Sequence, residues 1–133
     1  MRLWHQDLIP YLPRQQLLGQ HRECCALRGA GWGRKHSIVN YVFNYDPSYL
    51  VAYHWLIMDE MEKRGYHPDP LWRDSNWRGN KLGEQLGWAG DMITYQIYKD
   101  ISSHIFIEHN NDYLKECLNN LANKGIIINY EET

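Results

Sequence analysis

The chain has 133 residues, a net charge of −2, three cysteines and 44% hydrophobic residues. This length excludes two cores of ordinary size, so we expect one domain over residues 1–133. The sequence contains no run of about 18 apolar residues, so it predicts no membrane span. Residues 5–7 are polar, whereas a signal peptide would be apolar there. Because an odd cysteine count is a poor disulfide framework, we expect a cytoplasmic protein.

The charge is distributed unevenly along the chain. Residues 1–36 carry six basic and two acidic side chains, a net charge of +4, whereas residues 37–133 carry eight basic and fourteen acidic ones, a net charge of −6. A polyanion can therefore bind at one end of a chain whose average is acidic. The alternative is that these basic residues only decorate the first helix and the loop after it.

The first predicted helix runs from about Pro13 to Arg28, and Gly29 ends it. At about 100° per residue, one side of this helix is apolar and is predicted to face the core. That side carries Leu17, Leu18, His21, Cys24 and Cys25. Another side carries Gln15, Gly19, Arg22 and Ala26, with Glu23 at its edge. Because two of these residues have almost no side chain, either a neighbouring helix or a ligand can approach the backbone there.

A glycine-rich basic loop follows the first helix. Three glycines within residues 29–33 precede Arg34, Lys35 and His36. The loop is not a Walker A loop, since no Lys-Ser or Lys-Thr follows its last glycine. Its backbone amides, together with Arg34 and Lys35, could hold phosphates. Alternatively, the glycines only turn the chain.

The middle of the chain contains one ambiguous segment and one clear helix. Ser37–Tyr45 is rich in β-branched and aromatic residues, which suits either a short strand or a buried helix. Apolar residues then recur at helical spacing over residues 48–64, and Lys63-Arg64-Gly65 is typical of a helix end. We therefore predict a helix over about 48–64.

Two further helices are predicted in the last third of the chain. One covers about residues 88–100, and the other begins at Asn111 or Asp112 and ends at Lys124-Gly125. Ile126–Ile128 is expected to be a short extended tail. These elements predict an all-α fold with three to four main helices and long loops.

Histidine and cysteine are the candidate metal ligands of this sequence. It has seven histidines and two adjacent cysteines, but no C-x2-C pair and no H-E-x-x-H motif. His104 and His109 are not preceded by a cysteine pair. We therefore expect no metal site and no cofactor.

Arg22 and Glu23 form the most suggestive pair in the basic part of the chain. Neighbouring positive charge favours the ionised form of a carboxyl group. Such a carboxylate can stabilise a developing cation or transfer a proton. The alternative interpretation is an ordinary pair on a helix surface.

A family resemblance begins at this pair. Gln15-Gln16-Leu17-Leu18, followed by His21-Arg22-Glu23, resembles the first helix of the pyrimidine-dimer DNA glycosylases, the endonuclease V type of phage T4. The resemblance continues in the same order through four short segments, with an apparent insertion between Gly79 and about Asp100. These segments are Lys35–Tyr41, Lys63–Tyr66, Trp77–Gly79 and Ile107–His109.

The resemblance implies an all-α enzyme whose N-terminal α-amine attacks C1′ of the deoxyribose at a damaged pyrimidine. The resulting Schiff base is followed by β-elimination, which nicks the strand. Met1 would carry the nucleophile, because methionine is rarely removed before a residue as large as Arg2, and Glu23 would stabilise positive charge and transfer protons. An α-amine has a pKa of about 7.7–8.0, so a useful fraction is unprotonated at neutral pH.

The partner implied by the resemblance is double-stranded damaged DNA, and we expect no obligatory protein partner. The residues expected to contact DNA are Arg2, Gln15, Arg22, Arg28, Arg34, Lys35 and His36. The chain departs from the family pattern at Gln16 and Ala26, and its acidic end replaces an aromatic, basic tail. Two other functions are considered: a non-catalytic nucleic-acid-binding protein of the same fold and a metal-dependent hydrolase.

Overall fold

The computed structural model describes residues 2–35 and 38–130, and the regular elements in these ranges are helical. The four α-helices are α1 (Arg14–Arg28), α2 (Pro47–Lys63), α3 (Asp91–Lys99) and α4 (Asn111–Asn123). Three 3-10 helices cover Gln6–Tyr11, Asn40–Asn44 and Pro70–Arg73. Extended pairing among the described residues consists of one isolated antiparallel bridge, Trp77–Glu84. The predicted all-α class is confirmed.

Side-chain capping marks the starts of α2 and α4. The Asp46 side chain accepts a hydrogen bond from the backbone N–H of Ser48 at 2.9 Å, and Pro47 occupies the first helical position of α2. In α4 the capping side chain is Asn110, which accepts from the N–H of Tyr113 at 2.9 Å. The predicted cap at Asn111 or Asp112 was therefore wrong by at least one residue.

The ambiguous segment after the basic loop forms neither a strand nor an α-helix. Asn40–Asn44 is a 3-10 helix with Val42 buried, and Ser37 lies outside the described residues. The tail predicted to be extended, Ile126–Ile128, has no regular structure. Both segments are too short for a pattern to distinguish between their local conformations.

The ends of α2 and α4 share one glycine motif. The N–H of Gly65 donates to the carbonyl of Glu62 at 3.0 Å, and the N–H of the next residue donates to Met61 at 2.9 Å. Gly125 repeats this pattern after α4. Both glycines have positive φ, of 89° and 83°, a conformation that glycine adopts without steric cost. The predicted helix ends at Gly65 and Gly125 are confirmed.

Helix α2 lies at the centre of the molecule. It contacts both α1 and α3, and most of its length is buried, from Leu50 to Met61. One hydrophobic core combines residues of α1, α2 and α4, and α3 packs at its edge through Ile97 and Tyr98. This shared core supports the single domain over residues 1–133, which stays a prediction.

A membrane span requires a long apolar helix. Among the residues that the structure describes, no helix has the length and apolarity to cross a membrane.

Candidate functional site

The N-terminal segment, residues 2–4, lies against α1 and is held there by one glutamine. The side chain of Gln20 accepts a hydrogen bond from the N–H of Trp4 at 2.6 Å through Oε1. Its Nε2 donates to the carbonyl of Arg2 at 2.9 Å and to Oε2 of Glu23 at 3.2 Å. Gln20 therefore joins the start of the chain to the Glu23 carboxylate.

The Glu23 carboxylate is half-buried beside this segment. Burial raises the pKa of Glu23 above its ordinary value. The backbone N–H of Arg2, the ammonium group of Lys124 and the amide of Gln20 each oppose that rise by stabilising the ionised form. The result is a carboxyl group whose affinity for a proton is increased but that keeps donors directed at it.

Helix α4 holds the N-terminal segment from the other side. The hydroxyl of Tyr113 donates to the carbonyl of Leu3 at 2.5 Å, and the guanidinium of Arg2 pairs with Glu116 at 3.2 Å. At the end of α4, Nζ of Lys124 lies 5.4 Å from the centre of the Trp4 ring. Two helices that are distant in sequence therefore enclose residues 2–4.

One face of α1 is open. Gln15, Arg22 and Ala26 are exposed, and a methyl group added at Gly19 would meet only a guanidinium nitrogen of Arg22, at 3.7 Å. No described helix covers this face, so of the two occupants considered from the sequence a neighbouring helix is excluded within the described ranges. The face remains accessible to a ligand.

The basic loop continues from this open face. Arg34 and Lys35 are exposed, and Nε of Arg34 donates to the carbonyl of Ala30 at 3.0 Å. A methyl group at Gly31 would lie 2.7 Å from the Ala26 carbonyl, so the close return of the loop onto α1 requires glycine there. His36, and the Met1 predicted as nucleophile, lie outside the described residues.

Arg28 is placed differently from its prediction as a DNA contact. It is fully buried, and its guanidinium donates to the carbonyls of Trp72 at 2.8 Å, Asp74 at 2.7 Å and Trp77 at 3.0 Å. It also lies 3.0 Å from Nδ1 of His54. Arg28 fastens the 72–77 segment to α1 and presents no charge to solvent, so we no longer count it among the DNA contacts.

His54 and His21 form a hydrogen-bonded chain next to Arg28. Because a guanidinium only donates, Nδ1 of His54 must accept, and Nε2 then donates to Nδ1 of His21 at 2.8 Å. Ligand atoms of His21, His54 and Cys25 lie within 4.8 Å of one another. Burial raises the pKa of the Cys25 thiol to about 11, and both nitrogens of His54 are occupied, so hydrogen bonding accounts for this group without a metal.

A second group of possible metal ligands lies near the start of the chain. His5, Asp7 and His104 bring their ligand atoms within 4.8 Å of one another. Nδ1 of His5 accepts the N–H of Asp7 at 3.1 Å, and Nε2 of His104 lies 3.0 Å from the carboxylate of Asp7. The His–Asp contact is an ordinary surface pair, with side chains 39% and 38% exposed.

Comparison with family models decides the family. The model of the family described as pyrimidine dimer DNA glycosylase matches residues 1–74, which is more than half of the chain. The chain belongs to this pyrimidine dimer DNA glycosylase family. The matched part contains α1, the open face and Glu23, so the family resemblance drawn from the sequence is confirmed.

The family match ends within the 72–77 segment that Arg28 holds. The parts of the resemblance at Trp77–Gly79 and Ile107–His109 lie beyond it and stay predictions. No curated protein and no solved structure matches the chain. Helix α4 and its contacts with residues 2–4 therefore lie outside the part of the chain that the family model matches.

Three residues of the site were missed in the sequence. Gln20 is uncharged and belongs to no motif, while Tyr113 lies 110 residues from its partner Leu3, and Lys124 is similarly distant in sequence from Glu23. The only available signal was that Gln20 stands three residues before Glu23, a spacing that places two side chains on one face of a helix. Nothing in the sequence indicated that α4 would meet the N-terminal segment.

Proposed function

We propose that this protein is a DNA glycosylase with abasic-site lyase activity on damaged pyrimidines in double-stranded DNA, and that the α-amine of Met1 is its nucleophile. Glu23 is the acid–base and electrostatic partner of that amine. The matched family supports the glycosylase role. A reducing cytoplasm is the location that we propose, since all three cysteines are free thiols.

The proposed reaction needs no cofactor. The lone pair of the amine forms a bond to C1′ as the glycosidic bond breaks, and that bond's electron pair leaves with the base, which takes up a proton. The amine then loses a proton, and the C1′–O4′ bond of the sugar ring breaks; O4′ keeps the electron pair and takes up a proton, which leaves an iminium ion, the Schiff base. Removal of a proton from C2′ then expels the 3′ phosphate oxygen, and water releases the enzyme by hydrolysing the imine.

The observation that carries this proposal is the contact of the Glu23 carboxylate with the backbone of Arg2. The N–H of Arg2 stabilises the ionised form of Glu23, and the carbonyl of Arg2 is bound by Gln20. Covalent geometry limits the α-amine of the preceding residue to within about 4 Å of the Arg2 nitrogen. An amine at that distance can exchange protons with Glu23 directly or through one water molecule.

The raised pKa of Glu23 suits this role. A carboxyl group with an ordinary pKa is almost fully ionised at neutral pH and is a weak general acid. Burial raises the pKa of Glu23, which makes its protonated form easier to reach and favours its use as a general acid as well as a base. When ionised, it also stabilises the positive charge of the iminium ion.

The open face of α1 is the proposed DNA contact. Exposed Gln15 and Arg22 lie on it, and exposed Arg34 and Lys35 follow at its end. From Gln15 to Ala26 the helix rises about 16 Å, at about 1.5 Å per residue. This length suits several consecutive phosphates of one strand, and the small residues Gly19 and Ala26 let the backbone approach them. Arg2, already paired with Glu116, is proposed at the edge of the contact, and His36 in the continuation of the basic loop.

The test is reductive trapping of the Schiff base. Protein with a free Met1 amine is incubated with duplex DNA that carries either a pyrimidine dimer or an abasic site, in the presence of borohydride. We expect a covalent adduct, because hydride converts the iminium ion to a stable secondary amine. Mass spectrometry of the digested adduct should locate the bond at the α-amine of Met1.

The matched control is the same protein acetylated at its N-terminus, which removes the nucleophilic lone pair but leaves the DNA-binding residues. It should bind DNA and form no adduct. An acetylated protein that nicks abasic DNA as fast as the free one would contradict the assignment of the nucleophile. Salt-sensitive DNA binding without any adduct would instead favour a non-catalytic DNA-binding protein.

A further inference from the structure

One buried side chain contacts both groups that the proposed reaction brings together. Gln20 is 1% exposed and contacts Arg2, Trp4 and Glu23. We propose that Gln20 is a positioning residue, which holds the N-terminal segment and the Glu23 carboxylate at a fixed separation. This inference rests on the proposed function for its catalytic consequence, but not for its structural part.

The hydrogen bonds allow only one orientation of the Gln20 amide. Oε1 accepts from the N–H of Trp4 at 2.6 Å and shares the single proton of the Tyr53 hydroxyl, 2.9 Å away, with the carbonyl of Trp4. Nε2 carries two protons, and it lies 2.9 Å from the Arg2 carbonyl and 3.2 Å from Glu23. A rotated amide would direct its protons at the N–H of Trp4 and its oxygen at two acceptors. Each polar atom of the amide therefore has matched partners in one orientation only.

Tyr53 makes this arrangement rigid. It is fully buried on α2, and its hydroxyl also lies 2.7 Å from the carbonyl of Trp4. The amide of Gln20 thus connects α1, α2 and the N-terminal segment in one satisfied, buried network. Such networks fix a single geometry, because an unpaired polar group at a buried position is costly.

The position of the Arg2 backbone limits where the α-amine of the preceding residue can lie. Positioning of reacting atoms is sensitive to displacement, and a shift of about 1 Å can cost on the order of 10²-fold in rate. Gln20 itself is buried and presents no polar atom to DNA. Its replacement should therefore reduce the rate of the chemical step and leave DNA affinity almost unchanged.

The decisive variant is Gln20→Glu. It has the same shape and keeps the acceptor for Trp4 and Tyr53, but it replaces the two donated protons by an acceptor oxygen that faces Arg2 and Glu23. Two neighbouring carboxyl groups disfavour double ionisation, so the proton affinity of Glu23 should increase.

Three measurements test this variant. Carbon-13 NMR titration of the Glu23 carboxyl group should show a higher midpoint than in the wild type. The single-turnover rate of nicking abasic DNA should fall by about 10- to 100-fold, the scale expected for a displaced reacting group, and the acid limb of its pH profile should move to higher pH. The dissociation constant for abasic DNA should change by less than about threefold.

Tyr53→Phe is the matched control. It removes a hydrogen bond from the same buried network without changing a partner of Glu23, so the Glu23 midpoint should stay at its wild-type value. Gln20→Met, which keeps the length of the side chain and removes all four contacts, replaces Gln20→Glu if the latter does not fold, and the expected loss of rate is the same.

A folded Gln20 variant with wild-type Glu23 titration and a wild-type rate would overturn the positioning role. If wild-type protein forms no adduct with DNA, the proposed function fails. In that case the NMR titration still decides whether Gln20 controls Glu23, because that measurement needs no substrate.

Discussion

The two sides of α1 hold charged residues in opposite ways. Glu23 is half-buried, and its carboxylate is stabilised by the N–H of Arg2, the amide of Gln20 and the charge of Lys124, while burial still raises its pKa. Five residues later, Arg28 is fully buried, and three backbone carbonyls and His54 engage its guanidinium. Charge and sequence position suggested a functional role for both residues. The difference between the two lies in burial: the Glu23 carboxylate stays partly exposed beside the N-terminal segment, whereas the Arg28 guanidinium is enclosed and fastens the 72–77 segment to α1.

The largest effect that can test this comparison is expected for Glu23→Gln. The variant cannot exchange a proton or stabilise the iminium charge, so the single-turnover nicking rate should fall by about 10²- to 10⁴-fold. DNA binding should survive. Because burial disfavours the ionised carboxylate, the free energy of unfolding should be unchanged or slightly higher, as measured by urea denaturation. A variant that loses stability along with activity would show that Glu23 is a structural residue like Arg28.

Arg28→Met should have the opposite profile. It leaves the carbonyls of Trp72, Asp74 and Trp77 without their donor. Each carbonyl that stays unsatisfied costs about 1–3 kcal/mol of folding free energy. After partial relaxation we expect a loss of about 3–5 kcal/mol in the free energy of unfolding, measured by urea denaturation. Arg22→Met, on the open face, is the control and should stay within about 0.5 kcal/mol of the wild type. A stable Arg28→Met variant with weakened DNA binding would restore the original assignment.

The response to pH should also differ between the two sides. Burial, together with the positive charge of Arg28, lowers the pKa of His54 well below its usual 6.5, and burial lowers that of His21. The unfolded chain therefore binds more protons below pH 6.5, so the stability that these neutral histidines provide is complete above pH 6.5 and is lost as the pH falls.

The expected slope is up to about 1.4 kcal/mol per pH unit for each histidine that titrates. Urea denaturation between pH 7.5 and about 5 measures it, and His54→Gln should have a shallower slope in this range. Glu23 has the opposite sign. Since its pKa is raised, protonation of Glu23 at lower pH favours the folded state. Equal slopes for wild type and His54→Gln would contradict the assignment of the acid response to the Arg28 side.

The smallest effect is expected on the open face. Arg22→Ala should weaken binding to undamaged duplex DNA only modestly and reduce the slope of log K against log salt concentration by about 0.9, the value for one phosphate contact. Fluorescence anisotropy at several salt concentrations measures this slope. Lys63→Ala, an exposed lysine at the end of α2, is the matched control. An unchanged slope for Arg22→Ala would remove this face from the DNA contact.

Local features of the fold were predictable from the sequence. Helical spacing and glycine stops located α1 and α2 within one or two residues, because each signal acts over one turn of helix. The same patterns could not determine the conformation of Ser37–Tyr45, where five residues, Asn40–Asn44, form a 3-10 helix and Val42 is buried. In segments of that length, packing against the rest of the molecule determines the conformation.

The site was predictable where it lies within one helix. Gln15 and Arg22 were placed on one face of α1, and both are exposed there, whereas Glu23, predicted at the edge of that face, is half-buried. The burial of Arg28 was not foreseen, because the backbone carbonyls that it binds lie 44 to 49 residues away in sequence and no charge count reveals them. Gln20 was missed because its role depends on which backbone atoms arrive beside it.

The contacts between α4 and the start of the chain have a consequence for biosynthesis. The hydroxyl of Tyr113 and the carboxylate of Glu116 hold residues that are made more than a hundred residues earlier. During translation, the N-terminal segment emerges from the ribosome long before the helix that encloses it. The N-terminal segment therefore stays without these contacts until residues 113–116 have left the ribosome.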